Sequence, residues 1–126
     1  MNEAELLFSQ VLNCDRVSLY LDNKKTLDKE KSLFISSVLK RRAKGEPLQY
    51  ILGKTEFMGL EFKLNLDVLI PRPETEILVD VASEYIRKRA PQGASILDLG
   101  TGSGCIAVSL ARLFPGARIT ASDISS

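Results

Sequence analysis

The sequence contains no histidine and no tryptophan, and it has only two cysteines. Without histidine, Ser-His-Asp and Cys-His catalysis is excluded from these 126 residues, as are metal sites built on imidazole. Cys14 and Cys105 lie too far apart in the sequence to form a metal-binding motif. We therefore expect two reduced thiols, with Cys105 as a small packing residue, and no metal site.

Excess charge and long apolar runs are also missing. The formal net charge is +1, which gives no reason to expect a nucleic-acid, membrane or acidic partner. No apolar stretch approaches the roughly 20 residues that span a bilayer, and the acidic start Met1–Glu5 lacks the basic and apolar regions of a signal peptide. These features predict a soluble, cytoplasmic protein that binds neither membranes nor nucleic acid directly.

Residues 1–53 show the periodicity of a small helical bundle. Asn2 is the predicted N-cap of the first helix, and Glu5 stands where a capping box needs it. One apolar stripe with helical spacing predicts the rest of this helix. Its members are Ala4, Leu7, Phe8, Val11 and Leu12.

Two further helices are predicted in the same region. The second holds Val17–Leu21 and ends near Asn23. The third begins at Thr26 or Asp28, both good N-caps, and ends at Lys44–Gly45. The residues expected to face inward from this third helix are Leu33, Phe34, Val38 and Leu39.

The period of the pattern changes to two after residue 53. Four apolar residues that alternate with polar ones predict a half-buried strand. They are Leu60, Phe62, Leu64 and Leu66. Thr55–Met58 are expected to pair with this strand around Gly59, which makes residues 54–70 a β-hairpin linker between two domains.

A proline-rich segment, Ile70–Glu76, follows the hairpin. Pro73 suits a first helical position, and Glu74 and Glu76 fall in the first turn, where the helix dipole favours acids. The helix is expected to end at Pro91–Gly93. Its predicted inward residues are Leu78, Val81, Ala82, Tyr85 and Ile86.

The order of elements from residue 94 is strand, glycine loop, helix, strand. Ser95–Leu99 is a short apolar run typical of a buried parallel strand. Pro115–Gly116 ends the following helix, and Ala117–Ile124 is the second strand. The helix is predicted from Ala107, Leu110, Ala111 and Phe114. Together these elements form one βαβ unit.

The loop between the first of these strands and its helix has the features of a ligand site. Gly100, Gly102 and Gly104 allow a sharp turn and a close approach of a ligand to the backbone. The helix that follows presents N–H groups without helical partners. Asp123 lies at the tip of the next strand, where a carboxylate can accept both hydroxyl groups of an adenosine ribose.

Two cofactors fit this loop. Gly102–Ala107 matches the G-x-G-x-x-G/A pattern of dinucleotide sites, so the loop alone does not exclude NAD. Asp98 would repel a pyrophosphate, whereas it would favour the positively charged amino and sulfonium groups of S-adenosylmethionine. This electrostatic argument favours the methyl donor. A glycine turn without any ligand is a third interpretation, which the two acids at Asp98 and Asp123 disfavour.

Asp98–Gly104, with the sequence DLGTGSG, resembles the first motif of class I methyltransferases. Gly45–Gly53 (GEPLQYILG), Glu56–Gly59 (EFMG) and Leu69–Glu76 (LIPRPETE) extend the resemblance. Together the four segments resemble the HemK/PrmC family, the protein-(glutamine-N5) methyltransferases that modify the GGQ glutamine of peptide chain release factors. The segment Ile70–Glu76 is the most specific of these similarities.

The resemblance implies an α/β fold: an N-terminal helical domain for substrate recognition, a β-hairpin linker, then the opening βαβ of a class I, Rossmann-like methyltransferase domain. The corresponding bounds are 1–53, 54–70 and 71–126. The implied cofactor is S-adenosylmethionine, and the implied partners are release factors. The implied cofactor-binding residues are Asp98, Gly100, Thr101, Gly102, Ser103, Gly104 and Asp123. Candidates for lining the active site are Arg72, Pro73, Glu74 and Thr75, together with Glu76. The alternative is that this segment only caps the helix that follows it.

One motif of the family, the Asn-Pro-Pro-Tyr sequence that holds the acceptor amide, does not occur in these residues. We therefore expect a truncated chain that contains no catalytic residue and transfers no methyl group by itself. Two alternatives stay open: an N6-adenine nucleic-acid methyltransferase and a non-catalytic partner-binding module. The basic cluster Lys40–Lys44 is interpreted as a solvated helix end favoured by the dipole, with a partner contact as the alternative.

Overall fold

The computed structural model describes residues 2–21, 26–90 and 93–125. The chain divides into two compact units, Met1–Ile51 and Leu52–Ser126. The predicted end of the second helix near Asn23, and the predicted stop at Pro91 and Gln92, lie outside the described residues. No helix among the described residues is long and apolar enough to cross a membrane.

The first unit is helical. Its elements are α1 (Glu3–Val11), α2 (Arg16–Leu21), α3 (Lys29–Ala43) and α4 (Leu48–Leu52), the last of which extends to the junction with the second unit. The sequence predicted the first three helices but not α4. Helix α4 begins directly after Pro47, whose carbonyl accepts the N–H groups of Tyr50 and Ile51 at 3.1 and 3.2 Å.

The N-terminus of α1 confirms the predicted capping box. Asn2 Oδ1 accepts the Glu5 N–H at 2.8 Å, and Glu5 Oε2 accepts the Asn2 N–H at 2.9 Å. The same carboxylate joins α1 to α2, because its Oε1 accepts the Tyr20 hydroxyl at 2.7 Å and lies 3.1 Å from the Arg16 guanidinium. The Tyr20 hydroxyl is the main reason that the pKa of Glu5 lies below its ordinary value.

Helix α3 begins after its predicted N-cap Asp28, whose Oδ1 accepts the Lys31 N–H at 2.8 Å. The predicted inward stripe of this helix is largely wrong. Val38 is buried as expected, but its buried companion is Ile35. Leu33, Phe34 and Leu39 are exposed. The core of the unit consists of Leu7, Ile35, Val38 and Leu48. The sequence of α3 thus contains more apolar positions than the unit buries.

The second unit combines two helices with two small sheets. Its elements are β1 (Lys54–Phe57), β2 (Leu60–Lys63), α5 (Glu74–Arg89), β3 (Ser95–Leu99), α6 (Cys105–Leu113) and β4 (Arg118–Ser122). Strands β1 and β2 pair antiparallel with Phe57 opposite Leu60, which confirms the hairpin around Gly59. Leu66 lies beyond the end of β2 and is exposed, so its predicted inward orientation is wrong.

The hairpin shares one core with the two helices of this unit. The rings of Phe57 and Phe62 meet edge to face, with centroids 6.3 Å apart. They cluster with residues from α5 and α6, namely Val79, Ile86, Cys105 and Leu110. The hairpin that was predicted as a linker therefore packs within the second unit. Cys105 is buried there, in agreement with its predicted packing role.

The buried face of α5 differs from the predicted stripe. Val79, Ser83 and Ile86 are buried, and of the predicted stripe only Ile86 is among them. Ala82 is half-buried. Leu78, Val81 and Tyr85 are exposed. The helix is apolar on two sides, and its periodicity alone does not show which side the hairpin and α6 cover.

Strands β3 and β4 are parallel and flank α6 in sequence, as predicted for a βαβ unit. The bounds of β3 agree with the prediction, whereas β4 is shorter than the predicted Ala117–Ile124. Ser95 lies opposite Arg118 and Leu99 opposite Ser122. The carboxyl ends of both strands therefore lie side by side, and the glycine loop leaves from this edge.

Candidate cofactor-binding site

The loop at the carboxyl edge of the parallel pair is fixed by backbone hydrogen bonds. The carbonyl oxygen of Ser122, the last residue of β4, accepts the N–H groups of Gly100 and Thr101 at 2.8 and 3.0 Å. The Gly104 N–H donates to the Thr101 carbonyl at 2.9 Å. The turn is thus built against the neighbouring strand.

The glycines give this loop an open surface. Gly100 and Gly102 have φ values of 71° and 54°, in the left-handed region that residues with a Cβ rarely adopt. A Cβ atom at either position would meet nothing within 4 Å, so a ligand has room to approach the backbone there. Gly104 is the N-cap of α6 and offers no side-chain cap. The start of α6 therefore keeps its dipole and its N–H groups available for a ligand.

Asp98 lies within β3, one residue before its end, and is half-buried. Its Oδ2 accepts the hydroxyl of Thr101 at 2.7 Å. The carboxylate thus contacts the first turn of the loop. Thr101 is one of the cofactor-binding residues that the sequence predicted. Its hydroxyl hydrogen is already donated to Asp98.

Asp123 follows the end of β4 and reaches the same loop. Its Oδ2 accepts the Gly102 N–H at 2.6 Å, and its Oδ1 accepts the Ser125 N–H at 2.9 Å. The N–H groups of Ser125 and Gly102 lower the pKa of Asp123 below its ordinary value. The structure therefore brings both predicted acids to the glycine loop, one from each strand.

Ser103 shows an unsatisfied polar atom in the loop. Its Oγ is buried and has no hydrogen-bond partner among the described residues. A buried hydroxyl without a partner costs free energy, and a bound ligand can remove that cost by accepting its hydrogen. Three other serine hydroxyls in the described residues, those of Ser9, Ser83 and Ser109, are also buried without a partner, so the hydroxyl of Ser103 bears on a ligand only through its place in the glycine loop.

The segment Arg72–Thr75 lies at the start of α5. Pro73 is the N-cap and precedes the first helical residue, which corrects its predicted place by one position. Arg72 and Glu74 are exposed, and Thr75 is half-buried. Within the described part of the chain, no side-chain hydrogen bond or ion pair joins this segment to the glycine loop. The side chain of Glu76, a further candidate from the sequence, instead accepts the Met58 N–H at 2.6 Å.

The basic cluster at the end of α3 is partly neutralised within its own unit. Arg41 pairs with Glu46, and Arg42 pairs with Glu3 at 2.9 and 3.1 Å. These ion pairs support the interpretation of the basic cluster as part of a helix end, with a partner contact as the alternative. In the described ranges, no group of three Cys, Asp or Glu side chains is arranged to hold a metal ion.

Comparison with known proteins identifies the family. Residues 1–53 match the model of the PrmC N-terminal domain. The chain is 49% identical over 117 residues to the release factor glutamine methyltransferase of Geobacter sulfurreducens, a match that covers 93% of this chain and 40% of the relative. The corresponding protein of Chlorobaculum tepidum is 44% identical over 126 residues, covering 98% of this chain and 43% of the relative. The chain spans about two-fifths of the length of these curated relatives. It belongs to the family of the release factor glutamine methyltransferases, as a match to their N-terminal part.

Proposed function

We propose that these residues form the substrate-recognition and cofactor-binding parts of an enzyme that methylates the GGQ glutamine of peptide chain release factors. The methyl donor is S-adenosylmethionine, and the acceptor is the side-chain amide nitrogen. The observation that carries the proposal is the pair of carboxylates, Asp98 and Asp123, that engage one open glycine loop from two parallel strands. The names of the relatives supply the acceptor class.

S-adenosylmethionine suits this loop better than a dinucleotide does. Asp123 keeps free lone pairs on both oxygens, so it can accept ribose hydroxyls while it still holds Gly102. The negative charge of Asp98 favours the amino and sulfonium end of the methyl donor and opposes a pyrophosphate. The open space beside Gly100 and the unpaired hydroxyl of Ser103 complete the proposed contacts.

S-adenosylmethionine, held by this loop, would supply a methyl group on a positively charged sulfur, and its transfer to the amide nitrogen would leave S-adenosylhomocysteine and release one proton to solvent. The residues of this chain act by orientation. Asp123 fixes the ribose, and Asp98 attracts the charged end. Arg72, Pro73, Glu74 and Thr75 are proposed to line the acceptor side of the site.

The domain bounds belong to the same proposal. Residues 1–53 are proposed to recognise the release factor, and residues 71–126 to open the Rossmann-like methyltransferase domain. Residues 54–70 are proposed to connect the two in sequence, although their hairpin packs with α5 and α6 of the second unit. The family match over 1–53 and the unit boundary after Ile51 support the first of these bounds. The cytoplasm, where release factors act, is the proposed compartment.

A fusion protein tests the proposal directly. The 126-residue chain is joined to the remaining C-terminal residues of the Geobacter sulfurreducens relative, and radiolabelled methyl transfer from S-adenosylmethionine is measured. The acceptors are a release factor, the same factor with its GGQ glutamine replaced by alanine, and adenine-containing DNA. We expect transfer to the intact release factor alone.

Two results would contradict the proposal. Transfer to DNA without transfer to the release factor would favour the N6-adenine alternative. Saturable NAD binding without any response to S-adenosylmethionine in calorimetric titration would exclude a methyltransferase.

A further inference from the structure

The carboxylate of Glu76 contacts the tip of the β1–β2 hairpin. In its own helix, the N–H group that a glutamate at this position usually accepts is missing. Glu76 is the third residue of α5, the position from which a glutamate ordinarily accepts the N–H of the N-cap. The N-cap here is Pro73, which has no N–H. The side chain of Glu76 is therefore available for a more distant donor.

That donor is the N–H of Met58, 2.6 Å from Glu76 Oε1 in a partly buried contact. Met58 and Gly59 form the two-residue turn between β1 and β2, with φ values of 50° and 69°. Both values lie in the left-handed region, as in a type I′ turn, where a residue with a Cβ is strained. The Met58 N–H falls outside the paired residues of the hairpin, whose last pair is Phe57 with Leu60.

The contact connects the hairpin tip to the segment that precedes α5. Glu76 donates its own N–H to the Pro73 carbonyl at 3.1 Å, and the Thr75 N–H donates to the Arg72 carbonyl at 2.9 Å. One turn further along α5, Val79 packs into the same core as Phe57. The hairpin and the start of α5 are thus held together by an apolar core and by one polar bond at its rim.

We propose that Glu76 is a positioning residue, which holds Arg72–Thr75 in place by binding the Met58 N–H of the hairpin turn. The effect on methyl transfer rests on the proposed function, because it requires that Arg72–Thr75 line the active site. The tie itself does not depend on that function, and it can be tested on the 126-residue chain alone.

Amide hydrogen exchange measures the tie. In Glu76→Ala, we expect the Met58 and Thr75 amides to exchange faster by about tenfold or more, since both lose a bond or its support. Glu76→Gln keeps an acceptor oxygen and should retain most of the protection. Asp80→Ala removes an exposed carboxylate from the same helix and should change neither amide. Unchanged Met58 exchange in Glu76→Ala would overturn the proposal.

Activity of the fusion protein tests the positioning role. We expect Glu76→Ala to lower kcat by roughly tenfold with little change in the KM for S-adenosylmethionine, and Glu76→Gln to restore most of the rate. In the double variant with Glu76→Ala, Met58→Gly relieves the strained φ of residue 58 but does not replace the missing carboxylate. We therefore expect that it does not restore kcat. Rescue by Met58→Gly would reduce Glu76 to a stabiliser of the turn and overturn the positioning role. A fusion protein that is inactive without any substitution would instead contradict the proposed function, and with it the effect of Glu76 on methyl transfer. The hydrogen-exchange data would still show whether Glu76 binds the hairpin turn.

Discussion

Asp123 Oδ2 accepts the backbone N–H of Gly102 at 2.6 Å, across 21 residues of sequence. This bond fastens the middle glycine of the loop to the residue that follows β4. Both groups belong to the proposed cofactor site. The residue proposed to hold the ribose therefore also shapes the loop, and its two roles can be separated by substitution and by pH.

Asp123→Ala should weaken the binding of S-adenosylmethionine and of S-adenosylhomocysteine by a similar factor, because both ligands carry the same ribose. Loss of charge-assisted hydrogen bonds predicts a decrease of roughly ten- to a hundredfold in affinity. Calorimetric titration of the fusion protein measures both ligands. Asp67→Ala removes an exposed carboxylate from the same unit and serves as the control. A much larger loss for one ligand than for the other would contradict the ribose role.

Asp98→Asn should discriminate between the same two ligands. The substitution removes the negative charge but keeps an acceptor for the Thr101 hydroxyl, so the loop is retained. S-adenosylmethionine carries the positive sulfonium and should lose more affinity than the neutral-sulfur product. Equal losses for the two ligands would remove the electrostatic argument for the methyl donor.

The bond between Asp123 and Gly102 should break in acid. The pKa of Asp123 lies below its ordinary value of 3.8. The hydrogen bonds of its carboxylate therefore contribute fully to folding stability above pH 3.8, and this contribution is lost as the pH falls through the lowered pKa. The amide proton shifts of Gly102 and Ser125, followed by NMR, should titrate together in this acid range. In Asp123→Asn both titrations should disappear, and their persistence would assign them to another group.

The elements around the site could be predicted from local sequence signals. The glycine spacing, the apolar run Ser95–Leu99 and the acids Asp98 and Asp123 each act within a few residues or follow from one parallel pairing. The tie between Glu76 and Met58 could not be predicted in this way, because it depends on how a hairpin turn packs beside a helix. The missing N–H of Pro73 was the one local signal for it.

The faces of α3 and α5 were less predictable. In α3, Leu39 is 57% exposed although it lies next to Val38, which is 2% exposed. In α5, Leu78 is 55% exposed beside Val79, which is fully buried. Both helices carry apolar residues on more than one side, so their sequences allow several orientations. The packing partners select one of them, and that information lies outside the helix.

Adjacent alanine substitutions in α3 test this orientation. Val38→Ala should cost about 2 kcal/mol in the free energy of unfolding, from lost burial and a residual cavity. Leu39→Ala should change it by no more than about 0.5 kcal/mol, as is usual at exposed positions. Native-state hydrogen exchange of the α3 amides in the two variants measures both values. A larger loss of stability at Leu39 than at Val38 would contradict this orientation of α3 and favour Leu39 as an inward-facing residue.

The outer face of the β3–β4 pair leads to a prediction about self-association. Leu97 and Leu99 are 60% and 73% exposed on β3, whereas Ile96 and Asp98 alternate with them and are half-buried. Contiguous exposed leucines on a parallel pair favour contact with another apolar surface. At high concentration we expect the 126-residue chain to associate through this face, and Leu97→Lys with Leu99→Lys to abolish the association. Leu66→Lys, at an exposed leucine outside the sheet, should leave it intact. Sedimentation velocity over a range of concentrations distinguishes these outcomes. A chain that stays monomeric throughout would contradict self-association through this face.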